Sequence, residues 1–226
     1  MTDYKKTVAL AALHHISKGM VAGLGAGATI GHLARALVED QELVKTLTIV
    51  SSSQDTVRLL GELGIPVADP GTLESIDVYF DSCDQLDHQL NALKSGGGIH
   101  VTEKILASMA DEFILLADAG KLVPELDATF PLVIEVIPAA MGSVIHSLRK
   151  RFNDAVIETR KNGEILKLSE RNNLLIDVYF PVLPPLDTLN LLKMWPGVVD
   201  HSLFYRMASK GLIAGPDGVV TMVAGR

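Results

Sequence analysis

The chain has 226 residues, of which 48% are hydrophobic, 21% charged and 5% aromatic, proportions of a soluble globular chain that exclude collagen, low-complexity disorder and coiled coil. Twenty Lys+Arg against 27 Asp+Glu leave a net charge of −7, the wrong sign for bulk attraction to nucleic acid or an anionic membrane. The single cysteine, Cys83, has no internal partner, Met1-Thr2-Asp3-Tyr4-Lys5-Lys6 lacks an apolar leader, and no apolar run approaches a membrane span, so a cytoplasmic protein is expected, with no nucleic-acid or membrane partner.

Apolar residues at Val8, Ala11, Ala12 and Ile16 recur at helical spacing from Lys6 to Ile16, and Gly19 stands where a helix stop belongs. Met20-Val21-Ala22-Gly23-Leu24 predicts a strand, Gly25-Ala26-Gly27 a tight turn, and Thr29 to Leu37 a helix. A strand from Leu47 to Val50 ends at Ser51-Ser52-Ser53, and a helix follows from Thr56 to Leu63. Val67, Val78-Tyr79-Phe80 and the run from Phe113 to Ala117 supply further short strands. Strands alternating with helices imply crossover connections and a mostly parallel sheet covered on both faces, hence an α/β fold. Around Pro124 the pattern changes. Strands at Leu132 to Val136, Ile157 to Arg160 and Leu174 to Phe180, with helices at Ala139 to Arg151 and Leu186 to Met194, outline a smaller α+β domain. The tail from Leu212 to Val223 reads as two strands around Pro216-Asp217-Gly218.

Gly23, Gly25 and Gly27, between a strand and a helix, fit either an anion site built from backbone amides and a helix dipole or a ligand-free turn. Thr29 is placed to cap that helix or to donate to a phosphate. A nicotinamide cofactor fits less well, because Ile30 stands where the third fingerprint glycine belongs and Ser51-Ser52-Ser53 replaces an acid. Asp81-Ser82-Cys83-Asp84-Gln85 follows a strand, at the edge where parallel sheets hold ligands, although an Asx turn with a helix cap explains Asp84 as well. Lys94-Ser95-Gly96-Gly97-Gly98 places a cation beside open amides, an oxyanion or phosphate cradle, with a flexible loop as the alternative. Glu103, opening a helix at Thr102, is a dipole-stabilised first-turn acid or a general base, and spacing alone favours the former. Scattered histidines give no zinc pattern, Cys83 between two acids is expected to have a raised pKa and a packing role, and Trp195 is expected to anchor a turn or core.

Taken in order, these segments, with Ala117-Asp118-Ala119-Gly120-Lys121, Ile134-Glu135-Val136-Ile137-Pro138, Pro196-Gly197-Val198-Val199 and Gly215-Pro216-Asp217-Gly218-Val219, resemble the ribose-5-phosphate isomerase type A family over nearly the whole chain. The resemblance implies a Rossmann-like catalytic domain, residues 1–126 and 205–226, and a smaller α+β domain, residues 127–204, assembled as a homo-oligomer, a dimer or tetramer. It implies an aldose-ketose isomerase of the pentose phosphate pathway that needs no cofactor and no metal and takes a small sugar phosphate. By position, Glu103 matches the base, Asp81 an acid serving the sugar oxygens, Asp84 a second acid and Lys94 the cation facing the enediolate. Substrate contacts are implied for Ala26, Gly27, Ala28, Thr29, Ser82, Cys83, Ser95, Gly96, Gly97 and Lys121. The chain departs from the family pattern at Ala26 and Ala28, where Thr and Ser are usual, at Ser82, Cys83 and Gln85, and at Ser95 and Ser202, where glycine is usual. These departures leave open a paralogue with an altered substrate or lost turnover, acting as a regulator.

Overall fold

The computed structural model describes residues 3–225. In chain order, α1 (Tyr4–Ala12) leads to β1 (Val21–Leu24), α2 (Ala28–Leu37), α3 (Gln41–Val44), β2 (Thr48–Ser51), α4 (Gln54–Glu62) and β3 (Ile76–Ser82). Three short pieces follow: β4 (Gln85–Asp87), β5 (Ala92–Leu93) and, after α5 (His100–Met109) and β6 (Ala110–Asp118), β7 (Leu122–Val123). The chain continues through β8 (Leu132–Val136), α6 (Met141–Arg151), β9 (Val156–Thr159), β10 (Lys161–Asn162), β11 (Ile165–Leu166), β12 (Leu174–Tyr179) and α7 (Leu186–Asn190). It closes with β13 (Val198–His201), β14 (Leu203–Phe204), β15 (Lys210–Gly215) and β16 (Gly218–Val223).

The main sheet has the order β16-β15-β6-β3-β1-β2. Its strands run parallel except β16, which turns back on β15. The central strand β6 shows why its sequence is an unbroken apolar run. Ile114 and Leu116 pack on one face with Val8, Leu33 and Phe80, while Phe113 and Leu115 pack on the other with Tyr79, Leu106 and Phe204, so neither face permits polar alternation. The α/β reading therefore stands. A second sheet, β13-β8-β12-β9, is antiparallel and packs Ile134, Val136, Ile176 and Val178 against Val144 and Leu148 of α6. Among the described residues no helix is long and apolar enough to cross a membrane.

Three local expectations are corrected. Val67 is no strand but a single bridge to Ile49. Thr29 does not cap α2, because the cap is Gly27 at φ +96° and Thr29 lies buried in the first turn. No helix follows Asp84; Gln85–Asp87 instead joins a small sheet of order β14-β5-β4-β7. Trp195 is half-buried against the core of the second sheet, as a turn anchor should be.

Candidate active site

The site forms at the carboxyl edge of the main sheet, where the loop after β1, the end of β3, the loop after β5 and the first turn of α5 meet. The glycines after β1 serve the neighbouring strand. A Cβ on Gly25 would stand 2.5 Å from Asp81 Oδ2 and nearer still to Cγ and Oδ1, so only glycine lets this turn pass over the carboxyl group. Asp81 is fully buried. Its Oδ1 accepts from the amides of Ala26 (3.0 Å) and Ser82 (2.8 Å), and its Oδ2 accepts from the Tyr79 hydroxyl (2.6 Å) and lies 3.0 Å from Lys94 Nζ. Tyr79 is steadied in turn by Ser52, 2.9 Å away.

Lys94 is buried, donates to the Ser82 carbonyl and reaches Glu103 Oε1 at 3.3 Å. Burial opposes its positive charge, but Asp81 and Glu103 together outweigh that and raise its pKa above the ordinary lysine value. Two carboxylates thus face one ammonium. Glu103 takes up the excess: burial, reinforced by Asp81 and opposed by Lys94, pushes its pKa up to about 8. Its first-turn position is real, yet it is only 4% exposed, so the plain reading as a solvated, dipole-stabilised acid does not describe it. Burial pushes the Cys83 thiol up to about 12, while Lys121 and Lys94 oppose the shift. The expected direction is met, but desolvation causes it more than the flanking acids do.

A cavity of about 250 Å³ opens over this cluster, lined by Ala26, Gly27, Ser82, Cys83, Asp84, Lys94, Gly96, Gly97, Ile99 and Glu103. Asp81 lies beneath it, and Ala28, Thr29, Ser95 and Lys121 stand outside its lining. Lys121 donates to the Cys83 carbonyl. Asp84 Oδ2 accepts from the amides of Ser95 (2.6 Å) and Gly96 (3.2 Å), which ties the glycine loop to the end of β3. Gly98, at φ +75°, has no room for a Cβ, which would meet Leu175 Cδ1 at 2.5 Å. The loop is built rather than slack. Sequence reasoning missed Tyr79, read only as a strand residue, and the pair Arg160 and Asp177, which reaches the loop from the second sheet. No local pattern marks any of the three.

The family described as "Ribose 5-phosphate isomerase A (phosphoriboisomerase A)" matches residues 48–218. The chain belongs to the ribose 5-phosphate isomerase A family. It is 36% identical over 225 residues to ribose-5-phosphate isomerase A of Rhizobium meliloti (strain 1021) and to that of Agrobacterium fabrum (strain C58 / ATCC 33970), covering 97% of each pair. Among solved structures it is similar to the ribose 5-phosphate isomerase of Plasmodium falciparum, with 28% identity, a TM-score of 0.89 and 99% of both chains covered. It is also similar to ribose 5-phosphate isomerase A of Methanocaldococcus jannaschii, with 30% identity, a TM-score of 0.88 and 98% of both covered. A D-ribose-5-phosphate isomerase solved in complex with phospho-erythronic acid matches at 33% identity and a TM-score of 0.89, over 97% of both chains.

At the positions expected to depart from the family pattern, the polar side chains find partners inside the protein. Ser82 Oγ donates to the Ala26 carbonyl at 2.8 Å and joins the two loops of the site. Ser95 Oγ donates to the Pro131 carbonyl at 2.6 Å, and Ser202 Oγ accepts from the Val133 amide at 2.9 Å. Gln85 exchanges two bonds with Asp127, at 2.8 and 3.0 Å. Cys83 fills apolar space beside Leu86 and Ala92. These side chains are held by hydrogen bonds and packing, and the Lys94–Glu103–Asp81 cluster stands intact.

Proposed function

We propose that the protein interconverts D-ribose 5-phosphate and D-ribulose 5-phosphate through an enediolate, with Glu103 as the base. The observation that carries this is the buried Glu103, its pKa raised to about 8, set 3.3 Å from an ammonium at the wall of a small cavity. A carboxyl group that titrates near working pH suits a step in which it must take a proton and then return it. In the open-chain aldehyde, Glu103 removes the proton on C2, and the C–H electron pair forms the C1–C2 double bond as the C1 carbonyl oxygen becomes the oxyanion. Lys94 stabilises that charge in a site shielded from water. The proton on O2 passes to O1, Glu103 returns its proton to C1, and a ketone remains at C2. No redox equivalent is consumed.

Asp81, with both oxygens engaged, acts in this proposal through Lys94 and Glu103 by holding the first and setting the charge balance of the second. The unpaired amides at the start of α2, after Gly27, supply an anion site for the phosphate. Asp84 holds the glycine loop, and the cavity-facing Gly96 and Gly97 border the sugar. We also propose the division near residues 126 and 205 into a catalytic and a smaller domain, a homo-oligomeric assembly and a cytoplasmic location. The strands of the two larger sheets support the division, since they fall on either side of it. The deciding experiment follows ketose formation from ribose 5-phosphate by purified protein in the presence of a chelator, beside Glu103→Gln. Turnover is expected in the parent and a loss of at least about 100-fold in the variant, with binding retained. Binding without turnover in the parent would point to a regulator instead.

A further inference from the structure

The second sheet reaches into the site through one side chain. Arg160, directly after β9, is held by Asp177 of β12 through Nε at 3.0 Å to both carboxylate oxygens and Nη2 at 2.6 Å to Oδ1. The same guanidinium donates Nη2 to the Ser95 carbonyl at 2.8 Å and Nη1 to the Gly96 carbonyl at 3.0 Å. Lys167 continues the row with a 3.3 Å bond to the Gly97 carbonyl. Five donors in a planar fork are what it takes to grip a carboxylate and two successive carbonyls at once.

The peptide units of the loop are trans, so each carbonyl drawn outward turns the following N–H the opposite way. The Gly96 amide accordingly meets Asp84. The Gly97 and Gly98 amides have no acceptor among the described residues, while Gly96, Gly97 and Ile99 line the cavity that holds Lys94 and Glu103. Successive unpaired amides of this kind form an anion-binding concavity. We propose that Arg160, fixed by Asp177, is a positioning residue of the isomerase site that, by holding the Gly96 carbonyl, aims the Gly97 amide at the oxyanion formed beside Lys94.

The inference rests on the isomerase reading, so its test has one readout that depends on turnover and one that does not. Arg160→Met combined with Asp177→Asn removes the clamp without stranding a buried carboxylate. Arg149→Met serves as control, since Arg149 shares with Arg160 and Asp177 an outer pocket of about 690 Å³ but touches no site loop. In the double variant kcat is expected to fall at least about tenfold with KM changed much less, because the lost alignment matters most in the transition state. Amide exchange at Ser95 and Gly96, both now bonded to Asp84, is expected to quicken by at least about tenfold. Arg160→Ala should regain part of its kcat with millimolar guanidinium, entering through the outer pocket, and less with methylammonium. A folded double variant with the parent's kcat, or with unchanged exchange at Ser95 and Gly96, would overturn the assignment. If the parent itself does not isomerise ribose 5-phosphate, the isomerase reading falls and exchange alone decides whether Arg160 sets the loop.

Discussion

Gly25→Ala is the sharpest perturbation the site offers. The new Cβ would stand 2.5 Å from Asp81 Oδ2, and nearer to the other carboxyl atoms, where real Cβ contacts do not occur. Asp81 cannot step aside cheaply, because three donors and Lys94 hold it in a fully buried position. Overpacking of this kind costs about 1 to 3 kcal/mol, and each hydrogen bond to a carboxylate that breaks adds about 1.5 to 3. With one such bond lost, the expected destabilisation is about 2.5 to 6 kcal/mol, read as a shifted midpoint at constant slope in urea unfolding. Turnover should fall with it, since Asp81 anchors both the turn through Ala26 and Lys94. Gly61→Ala is the matched control. It lies inside α4 with nothing within 4 Å of its would-be Cβ, and there alanine should stabilise by about 0.5 to 1 kcal/mol. A Gly25→Ala protein as stable and as active as its parent would refute the claim that this glycine exists to admit Asp81.

Other expectations concern protons and ligands. Because Glu103 must be ionised to act as base and its pKa is raised to about 8, kcat/KM should rise with pH through that region. Removing the like charge in Asp81→Asn should move the rising limb to lower pH, Lys94→Met should move it higher, and shifts of the reverse sign would break the electrostatic account. His100 and His201 are buried beside Lys104, and burial, then that charge, lowers both pKa values to about 3. The unfolded chain takes up these protons first, so the stability they contribute is present above about pH 6.5 and is lost as pH falls toward 3, by about 2 kcal/mol per histidine at pH 5. Neither ring nitrogen of His100 closes a hydrogen bond, although the Asp200 main chain lies close. Urea unfolding at pH 7 and pH 5 should therefore show a smaller acid loss in His100→Leu, and an equal loss would exclude His100 as its source. Inorganic phosphate should compete with ribose 5-phosphate at the uncapped start of α2, and non-competitive inhibition in initial-rate assays would count against that helix start as the phosphate site.

The amino-acid sequence by itself determined the elements whose burial is uniform. The β8 strand could be placed to the residue and β6 could be recognised from its apolar run, because a strand covered on both faces reads as a near-continuous apolar stretch; the buried Glu135 of β8 is the exception, paired with Ser169 and Asn173. It also marked Asp81, Lys94 and Glu103 by their order among glycine-rich segments. Tertiary structure alone decided what those residues do to one another. Whether Glu103 was a solvated first-turn acid or a buried one beside Lys94 depended on desolvation and on charges from distant segments, and no local pattern records either. Strands β4, β5, β7 and β14, two or three residues each, are too short to carry a period; β4 and β5 pair with each other, and β7 and β14 exist because these two strands, far along the chain, supply their hydrogen bonds. Arg160 stood unmarked in a polar stretch for the same reason: its role is made by Asp177 and by the carbonyls of Ser95 and Gly96, which only folding brings to it.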